Sequence, residues 1–341
     1  MSMQTNYKGL KSHKISWFFY EIGVRFFSLF KRNRKLPVNA TAQKVREKFF
    51  LAAILIYPLT IFIIFYIVVN IECILLAFKS YNPETGGYVW NNVDPFINFS
   101  SFFKQLKEEE FMSIAFKNST ILFAVSMLIN LPFHILNAYY IYKKHTLYRT
   151  YRLLLFLPSI LSSVLTTTIF AIFLSKGLQP VYDFFNWGEV PDFFSTERGF
   201  ATSVFYSAWI SFGGSLILFL GLMNRIPNDV IEAAQIDGVK PFQEFIYIVL
   251  PLIFPTITIY IITGIAGFFS NQGSILTFFG TSANAQFQTF GYYYFVKVLG
   301  DSGPAQYPMA AASGLVFTLI VAPITLLARY LLNKFFPSEE Y

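Results

Sequence analysis

Phe49 to Phe78 reads FFLAAILIYPLTIFIIFYIVVNIECILLAF, thirty residues with Glu72 as the one charge. About 20 apolar residues cross the hydrocarbon of a bilayer, and within it the backbone must satisfy its own hydrogen bonds. This run therefore forms a membrane helix that tilts or projects outward. Five further apolar stretches follow, around Ala115–Tyr142, Leu153–Leu174, Ala201–Met223, Ile246–Phe269 and Met309–Leu332. The expectation is an all-α integral membrane protein with six transmembrane helices. Composition agrees: 13% of residues are charged, against about 25% in soluble domains. The 42 Phe and 21 Tyr suit lipid-facing and interfacial positions.

Six spans put both termini on one side, and the charges say which. Residues 1–48, the 143–152 loop, the 224–245 loop and the C-terminal end hold nineteen of the 26 Lys and Arg; the other side holds seven. Basic residues collect on the cytoplasmic side. The chain is thus expected in the plasma membrane with both termini cytoplasmic. The net charge of +7 is not a nucleic-acid signal, because eleven basic residues against two acids sit in residues 1–48. That arm suits anionic membrane lipid instead. Within it, Ile15–Lys35 interleaves aromatics with Glu21, Arg25 and Lys31 and reads as an interfacial amphipathic helix.

The organisation expected is a cytoplasmic segment 1–48, a first span 49–78, an extracellular loop 79–114, a core 115–335 and a tail 336–341. Residues 175–200 form a second external loop. FQTFGYYYFVKV, between spans five and six, is too aromatic for a free loop and reads as a short outer helix or cap. Cys73 is the single cysteine and the three histidines are scattered, so no disulfide within the chain and no metal cluster is expected. No cleavable signal peptide is expected either, since the first apolar run is too long for one.

Residues 224–245 break the pattern. They hold two basic residues against four acids, though parity places them in the cytoplasm. Pro227 suits a helix start, Asp229 opposes the positive end of that helix, and Gly238 suits a left-handed stop. Pro241 opens a second helix that leads into span five. Two short helices meeting at a glycine make a small acidic knob. Its alanines permit close approach, and its carboxylates can pair with a basic groove on another protein.

The residues here resemble those of a known family. Glu232, Ala233 and Ala234, then Gly238, Ile248, Leu250 and Pro251 stand at the spacing Glu-Ala-Ala, three residues, Gly, nine residues, Ile, one residue, Leu-Pro. This is the signature of the permease subunits of bacterial ABC importers, and the chain looks like one of them. Asp237 before the glycine and Phe245 after it resemble the carbohydrate-uptake, maltose-permease-like branch. The resemblance covers roughly residues 110–335. It implies a five-helix permease core preceded by an extra N-terminal helix. It implies that Glu232, Ala233, Ala234, Asp237, Gly238, Leu250 and Pro251 couple the chain to a cytosolic ATPase dimer. A second, homologous permease and an extracellular solute-binding protein would complete the assembly. ATP and Mg would be held by the ATPase, and no cofactor by this chain, which has no phosphate-binding GxxxxGK[ST] loop.

The resemblance also implies where a sugar would sit. Spans four and five carry SAWISFGGS and GFFSNQGS, which place Trp209, Ser211, Gly214, Phe268, Ser270, Asn271 and Gln272 as solute contacts. The glycines serve close helix packing equally well. The hydroxyls of LSSVLTTTIF, Leu161 to Phe170, are expected to bond back onto their own helix. A gradient-driven secondary transporter or channel is the alternative. It calls for intramembrane carboxylates, and spans two to six, as bounded above, contain none.

Overall fold

In a computed structural model of the chain, the structure describes residues 38–108, 111–299 and 303–335. The amphipathic stretch Ile15–Lys35 and the tail 336–341 lie outside the described residues. The described chain is mostly helical, and six helices are long and apolar enough to cross a membrane. The chain divides into two compact units, Met1–Leu75 and Leu76–Tyr341.

In the first unit, helix Val38–Ile61 continues through a π-helical turn, Phe62–Val68, into Val69–Leu76. Span one covers Val45–Leu76. Its large apolar side chains, among them Phe50, Ile56, Tyr57 and Phe65, are exposed, as a lipid-facing helix requires.

The second unit opens with an element where the apolar pattern predicts only loop. Lys79–Asn82 and Gly87–Trp90 pair as an antiparallel hairpin, with Tyr81 opposite Tyr88. Gly86 closes its turn at φ +64°, a conformation that glycine adopts without steric penalty. Helix Ile97–Glu108 follows and packs on span six.

Span two covers Met112–Tyr142, span four Gly199–Met223, span five Pro241–Ala266 and span six Pro304–Lys334. Span three departs from expectation. Leu153–Leu174 is not one helix: helix Tyr148–Ile160 ends with Leu161 extended, and a new helix starts at Ser163. Pro158 lies in the last turn of the first piece and removes a helical donor. Ser162 then caps the second piece, its hydroxyl accepting from the Leu165 amide at 3.3 Å. The stretch long enough to cross is Ser163–Phe184, so it takes in ten residues assigned above to an external loop. The Thr166, Thr167 and Thr168 hydroxyls do bond back to carbonyls of their own helix.

The core of this unit sits where spans two, four and five meet. Leu131, Ile135 and Ile141 pack with Leu216, Phe219 and Met223 and with Val249, Ile253 and Ile257. Lipid is as apolar as these side chains, so close contact and hydrogen bonding hold such helices together. The segment between spans five and six folds back onto the bundle. It forms short helix Ile275–Phe279, a 3-10 turn Ala285–Phe287 and helix Phe290–Leu299, the expected aromatic cap. Asn118 of span two holds it, donating to the Gln286 and Gln288 carbonyls at 2.8 and 3.0 Å.

Candidate functional site

The 224–245 loop is built as two helices around a glycine corner. Helix Asn228–Ile236 follows Pro227, which stands at the capping position rather than inside the first turn. Asp237 caps its other end, and Gly238 follows at φ +76°. The Gly238 amide donates to the Gln235 carbonyl at 3.1 Å, and the Val239 amide to the Ala234 carbonyl at 3.0 Å. This pair of bonds is the Schellman closure, which requires a left-handed residue where Gly238 stands. The second helix, Pro241–Glu244, then runs into span five.

The two faces of Asn228–Ile236 differ. Ile231 and Ala234 are buried against the bundle, whereas Glu232, Ala233, Gln235, Ile236 and Asp237 are exposed. Ile236 is 86% exposed, an apolar side chain held out beside a carboxylate. Of the two alanines, Ala233 alone is on the outer face. Leu250 and Pro251 are not on the knob: they begin helix Leu250–Ala266, where Leu250 packs on the core.

Glu244 corrects the expectation for the loop's acidity and for the spans. Span five reaches back to Pro241, so this carboxylate falls inside it. It is 2% exposed, and the Lys143 ammonium donates to both its oxygens at 2.9 Å. A buried carboxylate persists as an ion only when paired in this way. The pair is not visible in sequence because its members lie 101 residues apart.

The expected solute contacts are split. Phe268, Ser270 and Asn271 meet around one cavity of about 310 Å³, between spans two and five. Ser119, Phe123, Ser126 and Met127 line it from span two, and Tyr260 and Thr263 from span five. The folded-back segment adjoins it: Thr289 donates to the Asn271 carbonyl at 2.9 Å, and the Phe290 amide donates to Ser119 at 3.3 Å. The cavity thus combines hydroxyls, a carboxamide and aromatic rings. Its span-two residues are absent from the sequence expectation. Their signal is present, since Ser119, Phe123 and Ser126 recur at the spacing of one helical face.

The other four residues lie elsewhere. Gln272 lines a second, mostly apolar cavity of about 830 Å³ with Phe269, Tyr294 and Phe317, and Ser270 borders both cavities. Trp209 borders a third cavity with Val125 and Phe212 and stacks on Phe170 at 5.8 Å. Ser211 donates to the Ala208 carbonyl and stands 3.5 Å from the buried His134 ring nitrogen. A Cβ on Gly214 would meet nothing within 4 Å, whereas one on its neighbour Gly213 would stand 2.3 Å from the Leu155 carbonyl oxygen. Of the two glycines, Gly213 is therefore the one required for helix packing.

The described chain is thus a multi-span helical membrane bundle that exposes a glycine-cornered helix beside its spans. The chain belongs to the binding-protein-dependent transport system inner membrane component family, whose model matches residues 135–337. It is a family of non-catalytic permease subunits.

The arabinooligosaccharides transport system permease protein AraP of Halalkalibacterium halodurans is 26% identical over 300 residues, 84% of this chain and 89% of that one. The maltose/maltodextrin transport system permease protein MalF of Escherichia coli K12 is 27% identical over 187 residues. That match covers 52% of this chain and 36% of MalF. A crystal structure of a bacterial alginate ABC transporter, in complex with its alginate pentasaccharide-bound periplasmic protein, is similar in fold. Its TM-score is 0.68 at 21% identity, over 87% of this chain and 99% of that one.

Proposed function

We propose that this chain is one permease subunit of an ATP-driven importer that takes up an oligosaccharide or polysaccharide fragment. A solute-binding protein delivers the sugar outside. A second, homologous permease completes the pathway, and a cytosolic ATPase dimer binds ATP and Mg and drives alternating access. The chain itself holds neither cofactor. Its termini are cytoplasmic, in keeping with nineteen of 26 basic residues on that side.

The observation that carries the reading is the exposed Glu232–Ala233–Ile236 face on a helix closed at Gly238. The small Ala233 lets a groove wall approach, Ile236 offers an apolar anchor, and Glu232 offers a charge. Asp237 closes the same edge, while Leu250 and Pro251 lie within the span behind it, at the start of helix Leu250–Ala266. The sugar assignment rests on two supports. The relatives named above are transporters of arabinooligosaccharides and of maltose/maltodextrin. The cavity at Phe268, Ser270 and Asn271 offers hydrogen-bonding groups beside aromatic faces, the chemistry that a sugar needs. Trp209, Ser211, Gly214 and Gln272 stand outside that cavity and are assigned to it only if the spans rearrange during transport.

The test is uptake by the complete complex in proteoliposomes, using labelled arabino-, malto- and alginate oligosaccharides. Accumulation of one of these that requires ATP and the binding protein is expected. Uptake that persists without the ATPase subunits would overturn the reading in favour of a gradient-driven carrier.

A further inference from the structure

Glu244 cannot belong to a docking surface, since it is 2% exposed. Among the described residues, the side chains that meet its carboxylate come from the end of span two. Lys143 donates to both carboxylate oxygens at 2.9 Å. The Tyr139 hydroxyl donates to the Pro241 carbonyl at 2.9 Å, stands 3.4 Å from a Glu244 oxygen, and its ring packs on Phe245 at 4.8 Å. Span two thus grips the four-residue helix Pro241–Glu244, which begins three residues after the Gly238 corner.

A displacement of helix Asn228–Ile236 therefore has two routes into the membrane. Span five receives it along the chain. Span two receives it across the Tyr139, Lys143 and Glu244 contacts. Apolar neighbours such as Ile231, in the same core, can slide past one another. A buried carboxylate cannot leave its ammonium without exposing an uncompensated charge to a low-dielectric interior. The two spans also form opposite walls of one cavity, Ser126 and Met127 on span two facing Thr263 and Gly264 on span five.

We propose that Lys143 and Glu244, with Tyr139, are positioning residues that make span two move together with the docking helix. The two walls of the cavity then change their spacing in step with the ATPase. This rests on the reading that Asn228–Ile236 docks on an ATPase subunit.

The test uses the complete complex with Cys73 replaced by serine and a single cysteine placed at Ser126 or at Thr263. Reaction with a maleimide is compared between the nucleotide-free and the ADP-vanadate-trapped states. With the pair intact, both positions are expected to change their rate several-fold on trapping. In Lys143→Ala/Glu244→Ala, which leaves no single buried charge behind, ATP hydrolysis should persist. The change at 263 should remain and the change at 126 should vanish. The swapped pair Lys143→Glu/Glu244→Lys should restore it. A full response at 126 in the double alanine variant overturns the proposal, and so does loss at both positions or a swapped pair that fails to recover. Glu232→Lys separates the underlying reading, because it should release the ATPase subunits whereas the double alanine variant keeps them.

Discussion

Gly213 of span four faces the backbone of Leu155 so closely that a Cβ would stand 2.3 Å from the Leu155 carbonyl oxygen. The contact joins helix Gly199–Gly214 to helix Tyr148–Ile160, the piece cut off by the break at Ser162. Backbone cannot yield as a flexible side chain can. Gly213→Ala should therefore cost about 1–3 kcal/mol, in the range of overpacking. Gly214→Ala, with nothing within 4 Å, should be close to neutral. Thermal unfolding of the purified protein in detergent distinguishes the two; equal melting temperatures would refute the assignment.

The Gly238 corner should discriminate among side chains by backbone conformation alone. Its φ is +76°, and a Cβ at this position would meet nothing within 4 Å, so space is not the obstacle. A left-handed non-glycine residue costs about 1–2 kcal/mol, and asparagine tolerates the region best. Gly238→Asn should retain ATPase binding, and Gly238→Val should weaken it. Co-purification of the ATPase subunits with each variant is the measurement.

Glu232 and Ile236 share the outer face of helix Asn228–Ile236 and contribute little to its own fold. Glu232→Lys should leave membrane insertion intact and remove ATPase subunits from the complex. Ile236→Asp should do the same. Unchanged ATP-driven uptake in either variant would count against the docking face. An exposed position on the bundle, such as Leu136→Ala, is the control and should bind the ATPase normally.

Asn118 ties the folded-back segment to span two through two carbonyls, at 2.8 and 3.0 Å. Asn118 is itself buried. Gln286 is exposed and Gln288 half-buried, so Asn118→Ala leaves their carbonyls to water and costs about 0.5–1.5 kcal/mol for each bond lost. Faster amide exchange over 285–299 is expected, with the core helices unaffected. Protection unchanged from the parent chain would show that the segment is held elsewhere.

Phe268 and Asn271 line the cavity between spans two and five, and Gln272 does not. If that cavity holds the sugar in this state, Asn271→Ala loses about one hydrogen bond, roughly 1 kcal/mol or a fivefold weakening. Phe268→Ala should weaken uptake further by removing an aromatic face. Gln272→Ala should leave it unchanged. The apparent KM for the oligosaccharide that the complex accumulates is the quantity to compare, and a larger effect at Gln272 would move the site.

The membrane character, the six spans and the helix–glycine–helix corner are legible in the chain. Each is written locally. A run of apolar residues declares its solvent, and Pro227, Gly238 and Pro241 set backbone angles whatever surrounds them. The break in the third span is legible too, in Pro158 and Ser162, but the charge-free, mostly apolar run Leu153–Leu174 masks it.

Where one helix meets another is a different kind of fact. Hydropathy reports whether a segment faces lipid, and says little about how that segment is rotated against its neighbours. That rotation is set by packing between segments distant in sequence. Tertiary structure alone put Ser119 and Ser126 beside Phe268 and Asn271, and sent Gln272 to another cavity. It chose Gly213 over Gly214 as the contact glycine, and it turned Glu244 away from solvent and onto Lys143. The sequence determined which elements exist and in which medium. The tertiary structure decided which side chains share a space, because that depends on helix rotation, to which the apolar patterning of a single span is nearly indifferent.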